Sequence, residues 1–187
     1  MSSMSTQTSP IQDERYPWLD APLFDETVQH VIQQTGVTPA IAQRQVIECL
    51  RYLYLISRHR EQLGGLFLPV EQAIDEIWHY LILQTREYRE LCEERLPGRF
   101  FIHHRSLPYD TYQQTPEREQ LIAESLRWLP LYREAFGPFD KEALPHWTMV
   151  RFLHEEMGLS LQQIAMLDAE ADAGIEANAD ANPVTAA

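Results

Sequence analysis

The chain has 187 residues, the length of one ordinary domain, and its 44% apolar and 23% charged residues are enough to build a packed core. Twenty-eight acidic against fifteen basic residues give a net charge of −13, which argues against nucleic-acid binding driven by phosphate neutralisation. No apolar run approaches the ~20 residues of a membrane span, and the N-terminus has neither the basic start nor the apolar block of a signal peptide. Two cysteines, Cys49 and Cys92, are too few for a disulfide scaffold, so a cytoplasmic protein without membrane or nucleic-acid partners is expected.

In chain order, residues 1–15 are rich in Ser, Thr and Gln and read as a disordered tail. Phe24, Val28, Val31 and Ile32 then fall at helical spacing and stop at Gly36. Thr38-Pro39 opens the next helix with a capping hydroxyl and a Pro in the first turn. Ile41, Val46, Leu50, Leu53, Tyr54 and Ser57 follow until Gly64-Gly65. Pro69 opens a helix that closes at Leu96-Pro97-Gly98, and Thr115-Pro116 opens one that closes at Phe136-Gly137-Pro138, with Pro130 expected to kink or interrupt it. Trp147, Val150, Leu153 and His154 run to Gly158, and Ser160 opens a short last helix.

Arg99 to Tyr109 is the one non-helical stretch with real apolar content, an extended segment expected to pack on the 69–96 helix. Gly158 to Ala165 looks like part of a helix-turn-helix. An acidic tail, residues 168–187, follows where a DNA reader carries basic residues, so a terminal helix packed on the bundle is expected instead. The fold class is therefore all-α: a single domain over residues 16–167, with five or six helices between two disordered tails.

The 69–96 helix carries the candidate chemistry. At about 100° per residue, Val70, Ile74, Ile77, Leu81, Tyr88 and Leu91 share one side and Asp75, His79 and Arg86 the other. Ile77 to Leu83 is apolar nearly all round, so His79 is expected under a second layer, held by Asp75 one turn back and covered by Phe100, Phe101, Ile102, His103 and His104.

Three readings stay open. The pair is a satisfied structural contact that locks the cover segment. Or Asp75, Glu76, His79, His103 and His104 supply the two-His-one-carboxylate donors of an iron or zinc ion. Or His79 is the acid/base of a small-molecule or peptide pocket, with Arg86 or Arg105 anchoring an anion. Cysteine catalysis is set aside, because Cys92 lies about 140° around a continuous helix from His79. Cys49 faces the core of its helix, and His30, His59, His146 and His154 lack ligand spacing.

Asp75-x-x-Trp78-His79, then Tyr88, Cys92, Gly98 and His103-His104, resembles the glycine-rich domain-containing protein-like family over roughly residues 45–110. The resemblance marks Asp75, Trp78, His79, Tyr88, Cys92, His103 and His104 as motif positions and implies a stand-alone bacterial-type member without the glycine-rich region, since the chain has seven Gly in all. The function expected from these readings is an accessory or interaction module binding a protein or small-molecule partner. The alternative is a metal-dependent enzyme using iron or zinc at His79.

Overall fold

Several helix starts and stops fall where local chemistry puts them, although the helix expected to open at Pro69 begins at Gln72, three residues later and without a side-chain cap. A computed structural model describes residues 21–63, 68, 70–103 and 118–167, and the two expected tails and residues 104–117 lie outside these. Helix α1 (Ala21–Thr35) ends at Gly36, whose φ of 70° suits a residue without a Cβ. Helix α2 (Pro39–Arg58) begins where the Thr38 hydroxyl accepts the Ile41 N–H at 3.4 Å, with Pro39 in its first turn. Helix α3 (Arg60–Leu63) follows a break at His59. After α4 (Gln72–Leu83) come α5 (Thr85–Glu90) and a π-helical turn, Leu91–Arg95. Helix α6 (Arg118–Phe136) precedes a 3₁₀ turn at Leu144–His146, α7 (Thr148–Glu155) and α8 (Leu161–Ala165). Helix α8 starts with a reciprocal cap between Ser160 and Gln163.

The architecture is all-α. The six helical segments of the sequence appear as eight helices among the described residues, because two of them break, at His59 and at Gln84. The Gln84 break has no Gly or Pro to announce it. Its backbone (φ −81°, ψ 62°) leaves the helical region, and its N–H bonds back to the Leu81 carbonyl at 3.0 Å. The 69–96 stretch is therefore not one straight helix, and angles measured along it do not carry past residue 84.

Pro130 neither ends nor interrupts α6, which runs through it. Leu126, Trp128, Leu129, Tyr132 and Phe136 are all buried from this helix. Each side chain of that kind is worth about 1.5–3 kcal/mol when sealed from water, which outweighs the roughly 3 kcal/mol that an internal Pro costs.

The centre of the bundle is α2, not the 69–96 segment. Its apolar face (Ala42, Val46, Cys49, Leu50, Leu53) is buried, and so are Glu48, Arg51, Tyr52 and Leu55 beyond that face, while Gln43, Ile47 and Tyr54 are half-buried. Helices α1 and α4 pack on one side of it and α6 on another. The last helix packs on the bundle as expected: Ile164 is buried, and Arg133 of α6 donates to the Ala165 carbonyl.

Residues 99–103 form neither helix nor paired strand, and the expected extended run is broken at its start, where Arg99 takes the left-handed region (φ 50°) and the chain bends at Phe100. They are steered by Gly98, whose N–H donates to Ser57 Oγ at 2.8 Å. A Cβ on Gly98 would stand 2.1 Å from the Ser57 carbonyl oxygen, so only Gly allows the chain this close to the end of α2. Arg60 caps the ring of Phe100 at 4.5 Å.

Candidate functional site

On α4, His79 and Asp75 meet as the spacing requires. The His79 Nδ1–H donates to the Asp75 backbone carbonyl at 2.8 Å, and Nδ1 also lies 3.3 Å from Asp75 Oδ2. The expected second layer does not seal them: both side chains are 44% exposed. The physical reason is where the cover segment is anchored. Residues 99–103 are fixed near the C-terminal end of α2 and over α5, so their docking does not bury the His79 face of α4.

That anchor is a buried polar string built from the other motif positions. The Trp78 indole N–H donates to the Tyr88 hydroxyl at 2.8 Å, which in turn donates to the Ile102 carbonyl at 2.7 Å. The break at Gln84 separates α4 from α5, and across it the Trp78 and Tyr88 side chains still meet. Tyr88 and Cys92 are fully buried and Ile102 nearly so. Burial pushes the Tyr88 hydroxyl well above its ordinary value, against the lowering effect of the indole bond. The Cys92 thiol is also raised, first by burial, with the Ile102 N–H and the Tyr88 hydroxyl pulling the other way. Burial, helped by the Asp75 charge, raises Cys49 too. Neither thiol has the depressed value of a nucleophile, so both cysteines serve packing.

The expected donors come together only in part. Glu76 is exposed, and its carboxylate accepts Gln72 Nε2 at 2.7 Å. His103 is exposed, its ring tilted against Phe101 with centroids 4.9 Å apart. Arg86 is exposed on α5, while His104 and Arg105 lie outside the described residues. Among the described residues no group of three His, Cys, Asp or Glu side chains is arranged to hold a metal ion. Asp75 and His79 are the two donors in contact.

A second polar centre escaped the sequence reading. Glu48 on α2 is completely buried. It accepts Arg51 Nη1 at 2.9 Å, the Tyr132 hydroxyl at 3.0 Å and the Trp147 indole N–H at 2.9 Å. Arg44 Nε lies 2.9 Å from the same carboxylate, and Arg44 Nη2 grips both oxygens of Asp140 at 2.7 and 2.9 Å. Phe139 and Trp147 pack against the Tyr132 ring, and Trp128 packs against both of them, stacked on Trp147 at 5.1 Å.

The electrostatics of this centre are those of a closed structural node. Burial, then the Glu48 charge, lifts the Tyr132 hydroxyl far above its usual range. His146 is held below its ordinary value of 6.5, first by burial, with Glu48 and Glu71 opposing and Arg44 assisting. Asp140 is lowered: burial works against this, and the Ala143 N–H and Arg44 overcome it. A trace was present in the sequence. Arg44, Glu48, Arg51 and Leu55 share one helix face, and Leu55 does not belong on a wet one.

A narrow, partly open cleft among α1, α2, α4, α5 and the π-helical turn measures about 30 Å³, room for a water or two and not for a metabolite. A wider, open depression of about 380 Å³ lies where α1 meets Tyr80 of α4. No helix among the described residues is long and apolar enough to cross a membrane.

A family model described as UCP032817-like matches residues 14–145, more than half of the chain, and the chain belongs to that family. This corrects the glycine-rich domain-containing protein-like assignment. The pattern behind that assignment, from Asp75 to His104, is a short run whose Trp78, Tyr88 and Cys92 are accounted for by the buried string. No curated protein and no solved structure matches the chain.

Proposed function

We propose that this member of the UCP032817-like family works as a cytoplasmic accessory module, binding a partner protein through the outward face of α4. The observation that carries the reading is Leu83. It is 74% exposed, on the same side as His79 four residues back and Tyr80 three back. A large apolar side chain in water beside a half-exposed imidazole–carboxylate pair has the mixed character of a contact surface. The sealed Glu48 node supports the same reading, because it stiffens the scaffold behind that face without offering a reacting atom.

Photo-crosslinking tests it. A benzophenone side chain at position 83 is expected to give a discrete protein adduct in cells, while the same group at exposed position 156 gives none. Absence of an adduct from position 83, or equal labelling from both positions, overturns the reading.

A second reading, a metal-dependent enzyme, is favoured by one observation. Because Nδ1–H of His79 is committed to the Asp75 carbonyl, a neutral ring carries its lone pair on Nε2, the atom a metal would take. Protein purified without chelator discriminates. Near-stoichiometric iron or zinc that disappears in His79→Ala replaces the module reading with the enzyme; metal-free protein retires the enzyme.

A further inference from the structure

The open depression between α1 and α4 has a composition that specifies its occupant. Its α1 wall carries Asp25, Glu26, Gln29, His30 and Gln33, and Tyr80 comes from α4. The spacing i, i+1, i+4, i+5, i+8 brings the five α1 residues to one side of that helix. The His30 ring lies flat on the Tyr80 ring, centroids 3.8 Å apart and planes 13° from parallel, so two aromatic surfaces are fixed against each other inside the depression. Asp25 and Glu26 are exposed at its rim, and no cation pairs with either carboxylate among the described residues. Gln29 and Gln33 are exposed as well and add amide donors and acceptors.

We infer that this depression receives an arginine side chain from a basic segment of the partner protein, an assignment that rests on the interaction-module reading and gives the partner its chemistry. A guanidinium is the cation that fits both halves of the site. It is flat and weakly hydrated, so it stacks on an aromatic surface, and its forked N–H groups match a carboxylate bidentately. A lysine ammonium supplies charge without the plane. The net charge of −13 steers any basic partner toward the molecule, and this place couples two carboxylates without a cation among the described residues to a fixed ring stack. Leu83, one turn past Tyr80 and 74% exposed, extends the surface with an apolar flank, so the partner segment carries an aliphatic residue beside its arginine.

Fluorescence anisotropy of the full chain with a labelled peptide of alternating Arg and Leu tests this, beside the same peptide with Lys for Arg. The Arg peptide is expected to bind more tightly than the Lys peptide. Asp25→Asn with Glu26→Gln is expected to weaken it about tenfold or more, as loss of charge-assisted pairing implies. Tyr80→Ala, its fold checked by thermal melting, should weaken it as well. Glu155→Gln with Glu156→Gln removes the same charge at exposed positions elsewhere and should leave binding unchanged. No binding, no preference for Arg over Lys, or equal weakening by the 155/156 variant overturns the inference. If the peptide fails while the adduct from position 83 persists, the site chemistry is wrong and the module reading stands; if both fail, both are lost.

Discussion

Arg44–Glu48 on α2 and Asp75–His79 on α4 are the same device on paper, an acid and a basic group four residues apart on one helix face. Glu48 is 0% exposed and gathers donors from three separate parts of the chain, whereas Asp75 and His79 meet each other and remain 44% exposed. Spacing therefore specifies that two side chains meet, and nothing about what surrounds them. What surrounds them follows from position in the bundle. Glu48 lies on a stretch of α2 that α6 and Trp147 cover, so its charge must be paired inside; α4 has an outer face, so its pair can stay wet.

The comparison is sharpest at Glu48. Glu48→Ala leaves Arg44, Arg51, Tyr132 and Trp147 facing a site without its acceptor, and is expected to cost about 3–5 kcal/mol, the usual price of stranding one side of a buried ion pair. Urea unfolding measures it; a loss below about 1 kcal/mol, the scale of exposed pairs, would erase the distinction between the two regions.

Next in size is the string that ties residues 99–103 to the bundle. Tyr88→Phe removes the acceptor of Trp78 and the donor to Ile102, with an expected loss of about 1–3 kcal/mol and faster amide exchange around residue 102. Unchanged exchange would mean that the segment is held by Gly98 and apolar packing alone.

A pH dependence should follow the buried node. The folded value of His146 lies below 6.5, so the unfolded chain binds its proton first. The contribution of His146 is present in full above that value and is lost as pH falls through it toward the folded one. Glu48, Arg44 and Glu71 face this ring, so the slope includes their charges. His146→Gln should flatten stability between about pH 6.5 and the folded value, as read from melting temperature against pH. An identical slope in the variant would assign it to other groups.

The smallest effect is expected at the exposed pair. His79→Ala should change stability by less than about 1 kcal/mol, because screened surface pairs contribute little. A loss as large as that at Glu48 would show that the α4 pair behaves as a buried one.

Much of the scaffold was legible. Thr38-Pro39, Gly36 and Ser160 mark helix ends through groups that act within four residues, and the contact between Asp75 and His79 follows from helical spacing. The burial expected for His79 was not legible, because an apolar run around a helix says that cover is wanted, not where the cover is anchored. The Gln84 break was hidden as well, with no Gly or Pro to mark it. The Glu48 centre was the largest omission: its partners Tyr132 and Trp147 stand 84 and 99 residues away in the chain.

By itself, then, the sequence determined an all-α chain, most of its helix boundaries and the residues that neighbour one another along each helix, since these depend on dihedral preferences and hydrogen bonds within one or two turns. Only the tertiary structure decided which helix lies at the centre, which acid is sealed and which stays in water. Burial is a property of what packs from other parts of the chain, and a fully desolvated carboxylate exists only where distant arginine, tyrosine and tryptophan donors arrive together.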